Sequence, residues 1–335
     1  MKSTWRQDTS LWATQHRLLH NLHAFAPTAN TQVPVFSTSD TVPYLTRRSC
    51  HVFILFHAIW PLAVEYLYFW ITGNCMSTLA AFSLYAAANS VTSLTHWRII
   101  GRLASRFGHL DGDKHKRDEV PDQHVLKVLI GTYVASVVRP LLPFMTAFQP
   151  GQLPSLSLWL PLELALFAVI IDFYFYVHHR TAHEIKGLWR YHQTHHLAKH
   201  PTPLLAGFAD VEQETIEFAI LPLLTYGTLK LAGFPMTFHD FWLCLGYLAF
   251  GESMGHSGLR VYYTTPSAAS PMLQVFDCEL TIEDHDLHHR NGSRKSHNYG
   301  KQTRVWDRVF GTCGERKELA ASNIDFGKRV HLPLM

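Results

Sequence analysis

The sequence predicts an all-α integral membrane protein, built of helical hairpins that carry a histidine-rich helical cap on the cytosolic side. Three observations predict it. Six apolar stretches recur along the 335 residues, several of them paired across short turns that hold Gly or Pro and no charge. Charged residues make up 16% of the chain against 47% hydrophobic ones, few for a soluble protein. The chain also holds 23 histidines, and the densest groups lie in polar stretches beside the apolar ones.

Residues 1–45 are polar and rich in Thr and Ser, lack the continuous apolar core of a signal peptide, and read as a mobile or surface-lying tail. From Val52 to Thr72, "VFILFHAIWPLAVEYLYFWIT" has the length of a bilayer crossing, although His57, Pro61 and Glu65 interrupt it. A weaker apolar segment runs from Met76 to Leu94 after the turn "GNC". His96 to His124 reads as a loop rich in Arg and Lys, which the positive-inside rule places in the cytosol. Val125 to Phe148 and Leu156 to Val177 flank "QPGQLPS" and form a hairpin that leaves the cytosolic side and returns to it. The stretch His178 to His200 emerges on that same side. A third hairpin, Thr215 to Leu231 and Thr237 to Phe250, turns at "AGFPM", and the polar remainder is again cytosolic. The expected divisions are a tail at 1–45, a membrane hairpin with its basic loop at 46–124, a catalytic domain at 125–315 and a C-terminal tail at 316–335. No internal repeat is evident.

Composition excludes several classes. A net charge of +3 without a basic run interleaved with aromatics argues against nucleic acid as a partner. The five cysteines, Cys50, Cys75, Cys244, Cys278 and Cys313, form no Cys-x-x-Cys pair, which argues against a zinc ribbon and a disulfide framework.

The histidines carry the chemistry. "HDLHH", His285 to His289, repeats the spacing of "HQTHH", His192 to His196, a pattern expected by chance about 0.1 times in such a chain. His179 and His183, four residues apart on a helix, point from one face and can chelate one metal. In "HQTHH" His192 shares a helical face with His195 and His196, and the last side chain is expected to lean to a neighbouring ion; "HDLHH" offers the same geometry with His285, His288 and His289. Eight imidazoles exceed what one ion coordinates, so the cap is expected to hold a di-metal centre with positions open for oxygen or water. Zinc cannot change oxidation state, whereas two irons can reduce dioxygen, and a membrane supplies unreactive alkyl chains; the combination points to C–H oxidation. The scattered His16, His20, His23, His51, His57, His109, His115 and His124 read as ordinary surface or capping residues.

"DFYFYVHHRTAH", "LWRYHQTHH", "GHSG", "HDLHH" and "NYGKQTRVWDRVFGT", in that order from Asp172 to Thr312, resemble the fatty acid hydroxylase superfamily of membrane sterol desaturases, methyl-sterol oxidases and sphingolipid hydroxylases. The resemblance implies two iron ions in a cytosolic cap, O2 as co-substrate, and electrons from NAD(P)H through cytochrome b5 and its reductase. It implies an endoplasmic reticulum membrane with the site facing the cytosol. It implies metal ligation by His179, His183, His192, His195, His196, His285, His288 and His289, with His256 of "GHSG" as a further ligand. Where parts of the family place another histidine, Glu252 stands here, either as a carboxylate ligand or as a group orienting His256. Asp172, near the cytosolic end of an apolar segment, is expected to accept a hydrogen bond from a ligand histidine or to pair with Arg180. Trp189, Tyr191, Tyr299 and Trp306 fit the pattern as packing or interfacial residues, and His200 and His297 as neighbours of the boxes.

Two rivals arise from the same residues. "GESMG", Gly251 to Gly255, fits a nucleophile elbow with Ser253 followed by Asp284 and His288, which would make a serine hydrolase if a strand preceded it and a helix followed it. "HEIKG" from His183 lacks the second histidine of a zinc protease. Within the oxidase reading, hydroxylation is favoured over desaturation because "GHSG" resembles the hydroxylase branches. The substrate is a sterol, a long acyl chain, or a lipophilic polyketide or terpenoid.

Overall fold

A computed structural model describes residues 3–4, 9–22, 33–112 and 117–335. His23 and His115 lie outside the described residues. Helices dominate. In chain order they are α1 (Thr14–Asn21), α2 (Arg47–Thr72), α3 (Thr78–Phe107), α4 (Val125–Thr146), α5 (Leu160–Glu184), α6 (Lys186–Trp189), α7 (Val211–Thr215), α8 (Leu221–Leu231), α9 (Phe238–Gly255), α10 (Ser270–Val275), α11 (Ile282–Asn291) and α12 (Val305–Val309). A π turn, Ile216–Ile220, joins α7 to α8.

Three helices are long and apolar enough to cross a membrane: α2, α4 with its preceding turn (Asp122–Thr146), and α5. The interruptions of α2 are met by neighbours. Tyr85 of α3 donates its hydroxyl to Glu65 at 3.0 Å, and His239 of α9 lies 3.4 Å from the same carboxylate oxygen. A charge within an apolar segment is tolerated when such partners replace water. Around them Tyr85, Phe238 and Trp242 pack edge to face, with ring centroids 4.9 Å apart for both Tyr85 pairs.

Three boundaries differ from the sequence expectation. α3 does not end at Leu94 but runs to Phe107, so the first part of the expected basic loop is helical. Its Ile99, Ile100, Leu103 and Phe107 recur at helical spacing and are buried against Phe53 and Phe250, which gives the helix an apolar seam to continue along. α5 continues past Val177 through His179 and His183. α9 continues past Phe250 to Gly255, so "GESMG" is helical and no strand precedes Ser253. That removes the geometry a nucleophile elbow needs. Ser253 Oγ instead accepts a bond from Trp97 Nε1 at 3.2 Å.

The two regions read as tails meet. β1 (Val42–Leu45) pairs in parallel with β2 (Ile324–Val330), the one two-stranded sheet among the described residues. Val42 and Leu45 are fully buried, and so is Arg260, which donates to Glu318 at 3.0 Å and to the carbonyls of Thr41 and Asp40. Trp12 and Leu19 also pack inside, against Val125, Leu204 and Phe208. Composition missed this because the strands are only four and seven residues long, too short to stand out within tails that are polar on average.

α5 packs against α8 and α9, and α9 packs against α11. The C-terminal ends of α5 and α9 therefore face the cap built by α11 and the segment after α6.

Candidate metal centre

Nine buried histidines converge where these elements meet, and their nitrogens fall into two groups. His179, His183, His192, His196 and His288 form one; His195, His256, His285 and His289 form the other. Within each group one nitrogen from every ring lies within 4.8 Å of every other. Every expected histidine ligand position is in one group or the other. None of the described scattered histidines joins them: His16 bonds Asp122, His51 bonds the Tyr247 hydroxyl, and His57 bonds the Leu334 carbonyl.

Local geometry explains the division. On α11, His285 and His289 are four residues apart and share a face, while His288 turns to the first group. "HQTHH" lies in turns that end in a 3-10 helix, His195–Leu197, rather than an α-helix. Here too the four-residue pair, His192 and His196, stays together and the middle His195 goes to the other group. The expectation that the last side chain would lean away is corrected: it is the middle one of each box. Each box thus bridges both groups, with the roles exchanged.

The rings are held from behind. Nδ1 faces a backbone carbonyl in six of the nine: His179 to Tyr299 at 2.8 Å, His183 to Ser293 at 2.6 Å, His288 to His297 at 2.7 Å, His289 to Ala198 at 3.0 Å, His256 to Glu252 at 2.9 Å and His195 to Phe208 at 3.3 Å. A carbonyl only accepts, so in each of these rings Nδ1 carries the proton and Nε2 is left as a bare lone pair.

The Nε2 atoms of the two groups crowd together. His196 Nε2 lies 3.0 Å from His183 Nε2, 3.0 Å from His192 Nε2 and 3.1 Å from His288 Nε2. In the second group His285 Nε2 stands 3.1 Å from both His256 and His289, and His256 Nε2 stands 3.3 Å from His195 Nε2. His195 and His256 both have their protons committed to carbonyls, so no hydrogen bond can join them. A cation between the nitrogens would satisfy what protons cannot: ligands about 2.1 Å from a shared ion stand about 3.0–3.4 Å apart. Gly292 completes the cradle, because a Cβ there would come within 2.3 Å of His196 Nδ1. The residues present therefore fit two metal ions with nitrogen ligands.

Burial also favours the neutral rings. It pulls His192, His195, His196, His256, His285, His288 and His289 well below the ordinary histidine range, and the neighbouring imidazoles add to the effect.

The carboxylates stand differently from the expectations. Glu252 belongs to neither group; its carboxylate lies 3.0 Å from Lys301 Nζ and 4.0 Å from His256 Nδ1, which its own carbonyl holds instead. Asp172 bonds no histidine and does not pair with Arg180, which turns to Glu184 and the Tyr176 hydroxyl. It accepts from the backbone of Lys301 at 2.7 Å and Gln302 at 2.8 Å, and from the Thr303 hydroxyl at 2.6 Å. Asp307 holds the preceding residues through the amides of Tyr299 at 2.9 Å and Gly300 at 2.7 Å. The two acids thereby fix the loop whose Tyr299 carbonyl orients His179.

Several supporting residues escaped sequence reasoning. Asp284 caps α11 through Thr281 and is paired with Arg316; Glu283 accepts three successive amides, Lys317 to Leu319. Asp286 pairs with the buried Arg117 at 2.6 Å. The density of acids within "IEDHDLHH" was the available signal.

The sequence model of the fatty acid hydroxylase family matches residues 164–312. The fatty acid hydroxylase vlmA of Lecanicillium sp is 40% identical over 316 residues, 89% of this chain and 86% of the relative. The ornithine lipid hydroxylase OlsE of Rhizobium tropici is 27% identical over 198 residues, 59% of this chain and 54% of that protein. No solved structure matches.

Proposed function

Because the chain belongs to the fatty acid hydroxylase family, we propose that it is a membrane-bound di-iron oxygenase that hydroxylates an unactivated C–H bond of an acyl lipid, using O2 and electrons from NAD(P)H. The observation that carries this reading is the convergence of nine buried imidazoles, six of which have the Nδ1 proton turned to a backbone carbonyl and away from the shared centres. His179, His183, His192, His196 and His288 hold one iron, and His195, His256, His285 and His289 the second. When bound, the irons supply the redox chemistry that activates dioxygen toward carbon, which a metal of fixed oxidation state cannot supply.

The protein's own contribution is orientation and exclusion of water. Backbone carbonyls lock the rings, so the ligands are preorganised before metal arrives. Glu252 positions His256 through its carbonyl and stays with Lys301 instead of ligating. Asp172 positions His179 at one remove, through the loop it caps.

Hydroxylation and an acyl substrate are supported by the names of the two relatives, a fatty acid hydroxylase and an ornithine lipid hydroxylase. The electron donor is a separate protein, cytochrome b5 with its reductase, and the site faces the cytosol of the endoplasmic reticulum. The family resemblance supports both, and Arg98, Arg102 and Arg106 along the end of α3 support the orientation.

The test combines metal analysis with isotope labelling. Protein purified from membranes should carry about two irons per chain, and microsomes given NADH and oxygen-18 gas should yield a labelled lipid alcohol. One zinc or no metal would remove the oxygenase reading, and an unlabelled alkene would replace hydroxylation with desaturation.

A further inference from the structure

Arg139 sits inside the apolar span of α4, seven residues before its end at Thr146. Its guanidinium rests 4.9 Å over the Phe218 ring and makes no hydrogen bond or ion pair with the described residues. Glu252 shares the walls of the same cavities, and Lys301 already holds its carboxylate at 3.0 Å. A planar cation with five donors is thus left facing open space within the membrane region.

That space is a cavity of about 420 Å³ between α3 and α4, in the size range of sites that enclose a small molecule. Arg139, Glu252 and Ser253 line it together with apolar residues that include Ala86, Leu94 and Trp97. Two smaller cavities, toward Phe175 and toward His96, also have Arg139 in their walls. Neutral polar side chains, among them Asn89, Ser93 and Ser136, line it too; Arg139 is the one cation among the described lining residues, and Glu252 joins the chamber to the histidine groups through its carbonyl on His256.

We propose that Arg139 is the specificity-determining anchor for the carboxylate of a free fatty acid, whose chain occupies the cavity between α3 and α4; this rests on the acyl-lipid hydroxylase reading above. The fork of the guanidinium matches two coplanar oxygens that share a negative charge, which a carboxylate provides and a neutral ester or alcohol does not.

The experiment uses full-length protein in detergent, with a fatty acid bearing a fluorophore at the chain tip and its methyl ester as probes. Wild type should bind the acid at least about tenfold more tightly than the ester. Arg139→Gln should lose that preference because acid affinity falls while ester affinity holds, and Arg139→Lys should recover part of it. Thr132→Phe, two turns along α4 from Arg139 in the same cavity wall, should exclude the longest chains while keeping the preference for acid. Equal loss of acid and ester in Arg139→Gln, or no preference in wild type, would overturn the assignment. Displacement of the probe by a lysophosphatidate in preference to the fatty acid would overturn the carboxylate in favour of a phosphate. Binding is read in iron-stripped protein as well, so an acid preference stands even where turnover fails; iron and turnover without that preference would sink the anchor alone.

Discussion

His195 and His196 are neighbours in the chain, yet their Nε2 atoms serve different centres: His195 meets His256 at 3.3 Å, and His196 meets His183 at 3.0 Å. One peptide bond thus ties the two groups together. In the same way His288 and His289 part company on α11. The two centres cannot shift independently, because each box spans both.

This pairing predicts separable losses. His195→Ala leaves the second group with three imidazoles, and His196→Ala removes the nitrogen nearest to three others in the first. Each variant should insert in the membrane, carry about one iron per chain instead of two, and lose turnover by at least about 100-fold. Metal analysis beside turnover checks it; full turnover in His195→Ala would strike that residue from the ligand set.

Gly292 has an ordinary backbone conformation for an L residue, with φ of −60°, so its absence of a side chain is about space. Gly292→Ala would put a Cβ 2.3 Å from His196 Nδ1 and 2.7 Å from the His288 carbonyl. The expected result is loss of iron from the first group with the helical circular dichroism retained. Gly227→Ala, whose Cβ would meet nothing within 4 Å, is the control and should stabilise α8 by up to about 1 kcal/mol.

Asp172 supplies three buried hydrogen bonds across more than a hundred residues of chain. Asp172→Ala leaves two amides without acceptors and should cost about 2–4 kcal/mol, seen as a lower melting temperature in detergent. Asp172→Asn keeps an acceptor for both amides and should cost about 1 kcal/mol. Should Asn prove as damaging as Ala, the negative charge and not the hydrogen bonding would be what the loop requires.

Metal removal separates the oxygenase from the hydrolase reading. Chelation should abolish turnover and lower the melting temperature, since an ion bound only by the folded protein stabilises it. Ferrous iron should restore both, whereas zinc should restore stability without turnover. A fluorophosphonate should leave Ser253 unlabelled, because α9 is unbroken there and the hydroxyl is engaged by Trp97.

Much of the site is legible in the chain because it depends on local spacing. His179 with His183, and His285 with His289, are set four apart, and a helix places such pairs on one face whatever surrounds them. The apolar lengths of α2, α4 and α5 are legible for the same reason: a bilayer reads composition over a short window.

What the chain alone determined, then, is a set of candidate nitrogen ligands in excess of one ion, carried on helices beside apolar spans. What the tertiary structure decided is the partition of those ligands, the carbonyls of Tyr299, Ser293, His297, Ala198, Glu252 and Phe208 that orient them, and the solitary place of Arg139. Every residue has a carbonyl, so only the approach of distant segments selects the six that matter. Asp172 makes the same point: a buried acid demands partners, and the loop that supplies them comes from more than a hundred residues away.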